Sequence, residues 1–398
     1  MPASPWSAAV RANVFLAPGA QRDAAFRLRT SQPTDVFAGD CDQSANPLVF
    51  DEVVTGGGST SYIGAQAAVH MQVTAAPGER VIRQSREYVR YLPGKSQMVM
   101  VSVDFQGSTA NVIKRAGYFD DNSTGYGAGM YFYVDAGGIK TGHRVGASDT
   151  LVDQANWNVD KLNGGGPSGV TLDTTKPQTM VFVFGGMVSS VMRWGFILDG
   201  NIVICHEEFQ TNTAAGPQMP HPSLPVRWEL ESTGGVGEMF AFSASVQSEG
   251  GFDDKGRASG LPRNAPLSLT AVGVKPLLSI RLKTSFKRGQ VHPTSLSVLA
   301  DGSENYYYLL LLRPTLMGAT FATGVDHVEG DIAALGYTQG HIVGSGWGEA
   351  GKVLNVPLDG ILLGADYAGT TDILTLAVSP VGTSPTDFYA AINWREFI

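Results

Sequence analysis

The stretch Val191-Met-Arg-Trp-Gly-Phe-Ile-Leu-Asp199-Gly-Asn201-Ile-Val-Ile-Cys205-His-Glu207 decides the fold. Two runs rich in β-branched and aromatic residues flank Asp199-Gly200, which enter the left-handed backbone region at little cost and so close a two-residue hairpin. The runs predict strands at 191–198 and 202–207. The same grammar continues toward the N-terminus, with strands at 179–184, 139–145, 129–134 and 114–119, the turn Asp135-Ala-Gly-Gly138 and the turn-rich stretch Asp120-Asp-Asn-Ser-Thr-Gly125. Residues 98–105 are apolar enough for a strand buried on both faces. Residues 81–91 alternate through Ile82, Gln84, Arg86, Tyr88 and Arg90, as a half-exposed strand does, between the turns Pro77-Gly78 and Pro93-Gly94. Toward the C-terminus, 225–231 and 239–247 extend the pattern. One short helix or ordered loop is expected at 153–162, anchored by Trp157.

Two composition shifts divide the chain. Residues 1–50 keep no period and read as an extended N-terminal arm or adaptor. Residues 248–268, with Gly250-Gly251, Asp253-Asp254, Gly256 and Pro262, read as a linker. A second β region follows, with strands at 271–283, 294–299, 305–312, 373–379 and 389–396. The expected architecture is all-β: a sandwich over 51–247 and another over 269–398, both antiparallel, behind the arm. No fixed-period repeat occurs.

Of 398 residues only 16% are charged, and 49 are glycine. Low charge suits a surface covered by neighbours. A net charge of -8 argues against nucleic-acid binding. The longest apolar run, 306–312, is far shorter than a membrane-spanning helix, and residues 1–10 lack a signal-peptide pattern. Cys41 and Cys205 form no CxxC pair and are expected as reduced thiols, as in a protein assembled in a cytoplasm.

Tests for chemistry return little. The glycine-rich Gly164-Gly-Gly-Pro-Ser-Gly169 lacks the Lys-Ser/Thr and the helix of a phosphate loop, and Gly56-Gly-Gly58 fails alike. No histidines pair at helical spacing. Along Cys205-His-Glu-Glu208, strand alternation lets Cys205 meet Glu207, or His206 meet Glu208. Asp120, Asp121 and Asn122 place three oxygen ligands in one loop and are the candidate cation site. No nucleophile elbow is present. Glu207-Glu208 and Asp253-Asp254 are the adjacent carboxylates that glycosidase chemistry would examine first. Trp157, Trp194, Trp228, Trp347 and Trp394 read mainly as core residues. Tyr307 should face opposite to Tyr306 and Tyr308, giving one aromatic face to a partner or a sugar. The expectation is a non-enzyme with no cofactor and no catalytic residue.

The stretch Gln154-Ala-Asn-Trp-Asn-Val-Asp-Lys-Leu-Asn-Gly-Gly-Gly-Pro-Ser-Gly-Val-Thr-Leu-Asp173 resembles a module of virion proteins from tailed bacteriophages and large DNA viruses of algae. Lys114-Arg-Ala-Gly-Tyr-Phe-Asp-Asp121, the hairpin Arg193–Glu207, Leu224-Pro-Val-Arg-Trp-Glu229 and the closing Trp394-Arg-Glu396 fit the same pattern. The resemblance covers about 47–285 and departs at Val183-Phe-Gly-Gly-Met187, where similar proteins have an aromatic and a Leu-Gly pair. It implies a lectin-type jelly roll in a structural protein of the virion, a tail-fibre or tail-tip subunit engaged in assembly and host attachment. Such a subunit would self-associate as a homotrimer, contact other virion proteins and meet a host surface glycan. The alternatives are a capsid decoration protein (head fibre or cement) and a carbohydrate-binding or depolymerase protein. Within the module, Trp157 would pin its loop, Gly164 to Gly169 would reverse the chain and Leu172 would re-enter the core.

Overall fold

The computed structural model describes Asp23 and residues 32–121, 127–186, 191–210, 212, 216–251 and 256–397. The chain divides into two compact units, Met1–Ser85 with Tyr91–Phe252, and Arg86–Arg90 with Asp253–Ile398. Both are all-β, every strand pairing is antiparallel, and the helical elements among the described residues are single 3-10 turns.

The first unit holds β1 (Pro33–Gly39), β2 (Phe50–Thr55), β3 (Ser59–Ile63), β4 (Ala68–Val73), β5 (Arg80–Ser85), β6 (Gln97–Asp104), β7 (Val112–Phe119), β8 (Ala128–Asp135), β9 (Gly138–Val145), β10 (Ser148–Asp153), β11 (Gln178–Phe184), β12 (Val191–Leu198), β13 (Asn201–Phe209), β14 (Val226–Ser232) and β15 (Gly237–Glu249). One sheet runs β13-β12-β11-β6-β15-β4-β3, and β1 pairs with the far half of β15. The other runs β10-β9-β8-β7-β14-β5-β2. Alternation along the strands aims Trp194, Phe196, Phe182, Phe132, Tyr118 and Trp228 between the sheets. Phe132 touches Phe196 at 4.5 Å, and the Trp228 indole donates to the Ser102 carbonyl of the facing sheet at 3.1 Å. Each such buried side chain contributes about 1.5–3 kcal/mol. The β12–β13 hairpin turns at Asp199 and Gly200 with φ of 49° and 79°, as its residues predict.

The second unit holds β16 (Arg257–Leu269), β17 (Lys275–Leu282), β18 (Gln290–Asp301), β19 (Tyr306–Leu312), β20 (Thr315–Met317), β21 (Thr323–Val325), β22 (Val328–Asp331), β23 (Gly336–Thr338), β24 (His341–Gly348), β25 (Val353–Pro357), β26 (Ile373–Pro380) and β27 (Thr386–Phe397). Its sheets run β16-β27-β18-β25 and β21-β22-β17-β26-β19-β24, with β20 and β23 as a separate pair. Leu278, Ile280, Tyr306, Leu310, Leu376, Phe388, Ile392 and Trp394 share its core.

Several expectations are corrected. Within the span read as an arm, Pro33–Gly39 is a paired strand; residues 1–22 and 24–31 lie outside the described residues. Most of the span read as a linker is strand, because β15 runs to Glu249 and β16 starts at Arg257. Pro262, taken there as a linker residue, lies inside β16, as does Pro266. Proline is tolerated here because β16 is an edge strand, with a bulge between Arg263 and Leu267. The strand expected over 81–91 stops at Ser85, and it is buried on both faces rather than alternating. Residues 86–90 belong to the second unit. The span 153–162, expected as a short helix or an ordered loop, is a loop that opens with a 3-10 turn, Gln154–Asn156, directly after β10.

Candidate functional site

The pair Asp120 and Asp121 does not form a cation cup. Asp120 is buried, and its Oδ1 accepts from Arg227 at 3.1 Å; Asp121 pairs with Arg80 at 3.3 Å. Guanidinium groups occupy the positions that a divalent cation would need. Asn122 lies outside the described residues. Among the described residues no group of three or more His, Cys, Asp or Glu side chains is placed to hold a metal.

The two aspartates belong to a charged layer on the outward face of the seven-stranded sheet. Its centre is Glu229, 1% exposed, whose carboxylate accepts from Arg115 at 2.6 Å and Arg80 at 2.8 Å, with Arg227 at 3.5 Å. Burial pushes this carboxyl up, and the three arginines outweigh it and hold it far below the ordinary range. Strand alternation explains the layer: Arg227, Glu229 and Glu231 face outward because Trp228 and Leu230 face the core.

Glu207 and Glu208 also part company. Glu207 pairs with Arg193 at 2.8 Å on one face, and Glu208 pairs with His143 at 2.9 Å. A bulge between Trp194 and Gly195 sets Trp194 opposite His206. Asp253 and Asp254 lie outside the described residues. Cys41 and Cys205 are both free and buried. Trp157, 2% exposed, pins its loop against Phe132, and its indole donates to the Val152 carbonyl at 3.2 Å. Leu162 fills the core there, whereas Leu172 stays half-buried and only its N–H returns, to the Leu162 carbonyl at 2.9 Å.

A surface open to a partner lies in the second unit, at β19 and β24. Tyr306 and Tyr308 point into the core and Tyr307 faces the other way, as alternation predicts. Opposite them, Gly346 and Gly348 leave room for the rings. A Cβ on Gly348 would stand 2.0 Å from the Tyr306 ring, and one on Gly346 would stand 2.8 Å from that of Tyr308. With one face of β24 given to glycine, its large side chains go outward or to the edge. Trp347 is 71% exposed, Ile342 62% and Val343 39%. Tyr307 lies beside Trp347, ring centroids 5.4 Å apart at 57°.

β24 is also an edge strand: among the described residues no strand pairs with its outer side, where an edge presents N–H and C=O groups. The other edges of its unit are protected: β16 carries Arg257, Arg263 and two prolines, β21 has three residues, and β25 is short and ends in Pro357. β24 has eight residues with neither proline nor an acidic or basic side chain apart from His341. This edge was not foreseen. The alternation of Gly344, Gly346 and Gly348 around Trp347 is the signal that marks a strand packed on rings.

No protein-family model and no curated protein matches the chain. Similar solved structures include a protein of unknown function from Shewanella oneidensis MR-1, 10% identical, covering 55% of this chain and 91% of that one at a TM-score of 0.36. A glycoside hydrolase family protein from Mycobacterium thermorestibile is 10% identical over 53% of this chain and 99% of that one, at 0.37. The Emp47p carbohydrate recognition domain is 11% identical over 54% and 96%, at 0.34. Likeness at this level assigns neither activity nor ligand to this chain.

Proposed function

We propose that this chain is a structural protein of a virus particle, a tail-fibre or tail-tip subunit that works by assembling with copies of itself. The observation that carries the assembling role is β24, an eight-residue edge strand that carries no proline, has no further strand paired to it among the described residues, and leaves Ile342, Val343 and Trp347 exposed. An isolated protein normally blocks such an edge with charge, proline or a covering segment. Low overall charge supports a surface shared with neighbours. The particle itself is supported by the resemblance of residues 114–229 to virion modules. Gold-labelled antibody against the chain should decorate the tail of intact particles. Label confined to the head would replace the tail role with capsid decoration, and unlabelled particles would contradict the virion reading.

A second reading, glycan binding, is favoured by the Tyr307–Trp347 pair, because exposed aromatic faces stack on sugar rings. The variant Trp347→Ala separates the two. Loss of glycan-array signal with unchanged mass would favour the sugar platform, and loss of self-association without any array signal would favour assembly.

A further inference from the structure

The mouth of the first unit, where β9 faces β12 and β13, holds an arrangement that the assembly reading does not use. His143 is 4% exposed, and both of its ring nitrogens meet acceptors. Nδ1 lies 2.9 Å from the Glu208 carboxylate on β13 and 3.5 Å from the Gln210 side-chain amide nitrogen, and Nε2 lies 2.8 Å from the Gln218 carbonyl on the way to β14. A neutral imidazole has one N–H and can serve only one of these acceptors; the imidazolium serves both. Gln218 is fully buried. Farther along the same connection, the anchor is a different side chain, the Tyr118 hydroxyl, which donates to the Pro222 carbonyl at 2.9 Å and accepts from the Leu224 N–H at 3.1 Å.

We infer that His143 is a pH-operated clasp: its doubly protonated ring ties β9 to Glu208 and to Gln218, and loss of one ring proton frees Gln218 and the rest of residues 216–221. The charged and titratable groups facing the ring are few. β13 presents Glu208 and His206. β12 presents Trp194, ring centroids 6.5 Å away, and the neighbouring strands place uncharged Met130 and Thr150 opposite His143. Arg144 and Glu207 are engaged elsewhere, with Asp149 and Arg193. Burial opposes a charge on His143, but the Glu208 hydrogen bond and charge, with the Gln218 carbonyl, outweigh it and hold the ring above its ordinary value. His206 is the contrast: burial outweighs the attraction of Glu208 and Glu207, and its ring is held below the ordinary value. A raised folded value fixes the sign. The clasp is fully engaged below the unfolded histidine value and is lost as pH rises through the folded one.

Hydrogen exchange of the full chain, corrected for intrinsic rates, tests this between about pH 5.5 and about pH 8.5. Amides of 216–221 should lose roughly tenfold or more protection toward the higher pH, while those of β14 stay unchanged. Glu208→Gln, which keeps size and packing, should move the midpoint to lower pH by about one unit. His143→Gln should abolish the pH dependence. Constant protection of 216–221 across the range overturns the clasp. So does an unshifted midpoint in Glu208→Gln, which decides the matter even if His143→Gln fails to fold.

Discussion

Glu229 shows how much a single position can hold. Its carboxylate sits out of water among Arg115, Arg80 and Arg227, and removing its charge would leave three guanidinium groups short of a partner. The variant Glu229→Gln should lose about 3–5 kcal/mol in urea unfolding of the first unit. A loss below about 1 kcal/mol would show that solvent already satisfies those arginines. The pH dependence follows from the lowered carboxyl. Its stabilisation is fully present above the unfolded carboxylate value and is lost progressively as pH falls from there through the folded value, well below the ordinary range. The native first unit should therefore resist acid further than the Gln variant, which circular dichroism during acid titration would read. Little of this was legible beforehand. Asp120 and Asp121 looked like cation ligands because a sequence places their oxygens together without showing which cations the neighbouring strands bring. Strand pairing supplies Arg227 and Arg80 instead.

Among the elements, β24 is the one whose composition is explained by a neighbour. Glycines on its inner face are required by the Tyr306 and Tyr308 rings, so Gly348→Val should force the Tyr306 ring aside. The expected cost is about 1–3 kcal/mol, seen as a lower urea midpoint for the second unit. An unchanged midpoint would mean that the rings move freely. Strands with both a clear period and a turn signal were legible: the β12–β13 hairpin, β19 and β26 lie close to where the residues predict. Short strands between 315 and 357 were not, because glycine and small polar residues dilute their period. β16 was hidden by prolines that only an edge position tolerates.

The whole molecule is two β units whose chain does not divide cleanly. Arg86–Arg90 belongs to the second unit, far from it in sequence. There Arg86 pairs with Asp372 at 2.8 Å, and the buried Gln290 amide donates to the Tyr88 carbonyl at 2.6 Å. A fragment of residues 253–398 lacks these partners. Leaving a buried amide unsatisfied costs about 1–3 kcal/mol, so its urea midpoint should lie below that of the same unit in the full chain. Equal midpoints would show that the segment is dispensable. Such a discontinuous unit cannot be drawn from a linear reading, which placed one boundary in a linker and none after β5. The claim that matters most at this scale is assembly through β24. Sedimentation velocity of the native chain beside Ile342→Lys and Trp347→Lys tests it directly, since both sites are exposed and each lysine should leave the fold intact. Assembly through β24 requires an oligomer for the native chain and a monomer for both variants; a native chain that stays monomeric at micromolar concentration, or variants that assemble as it does, would contradict it.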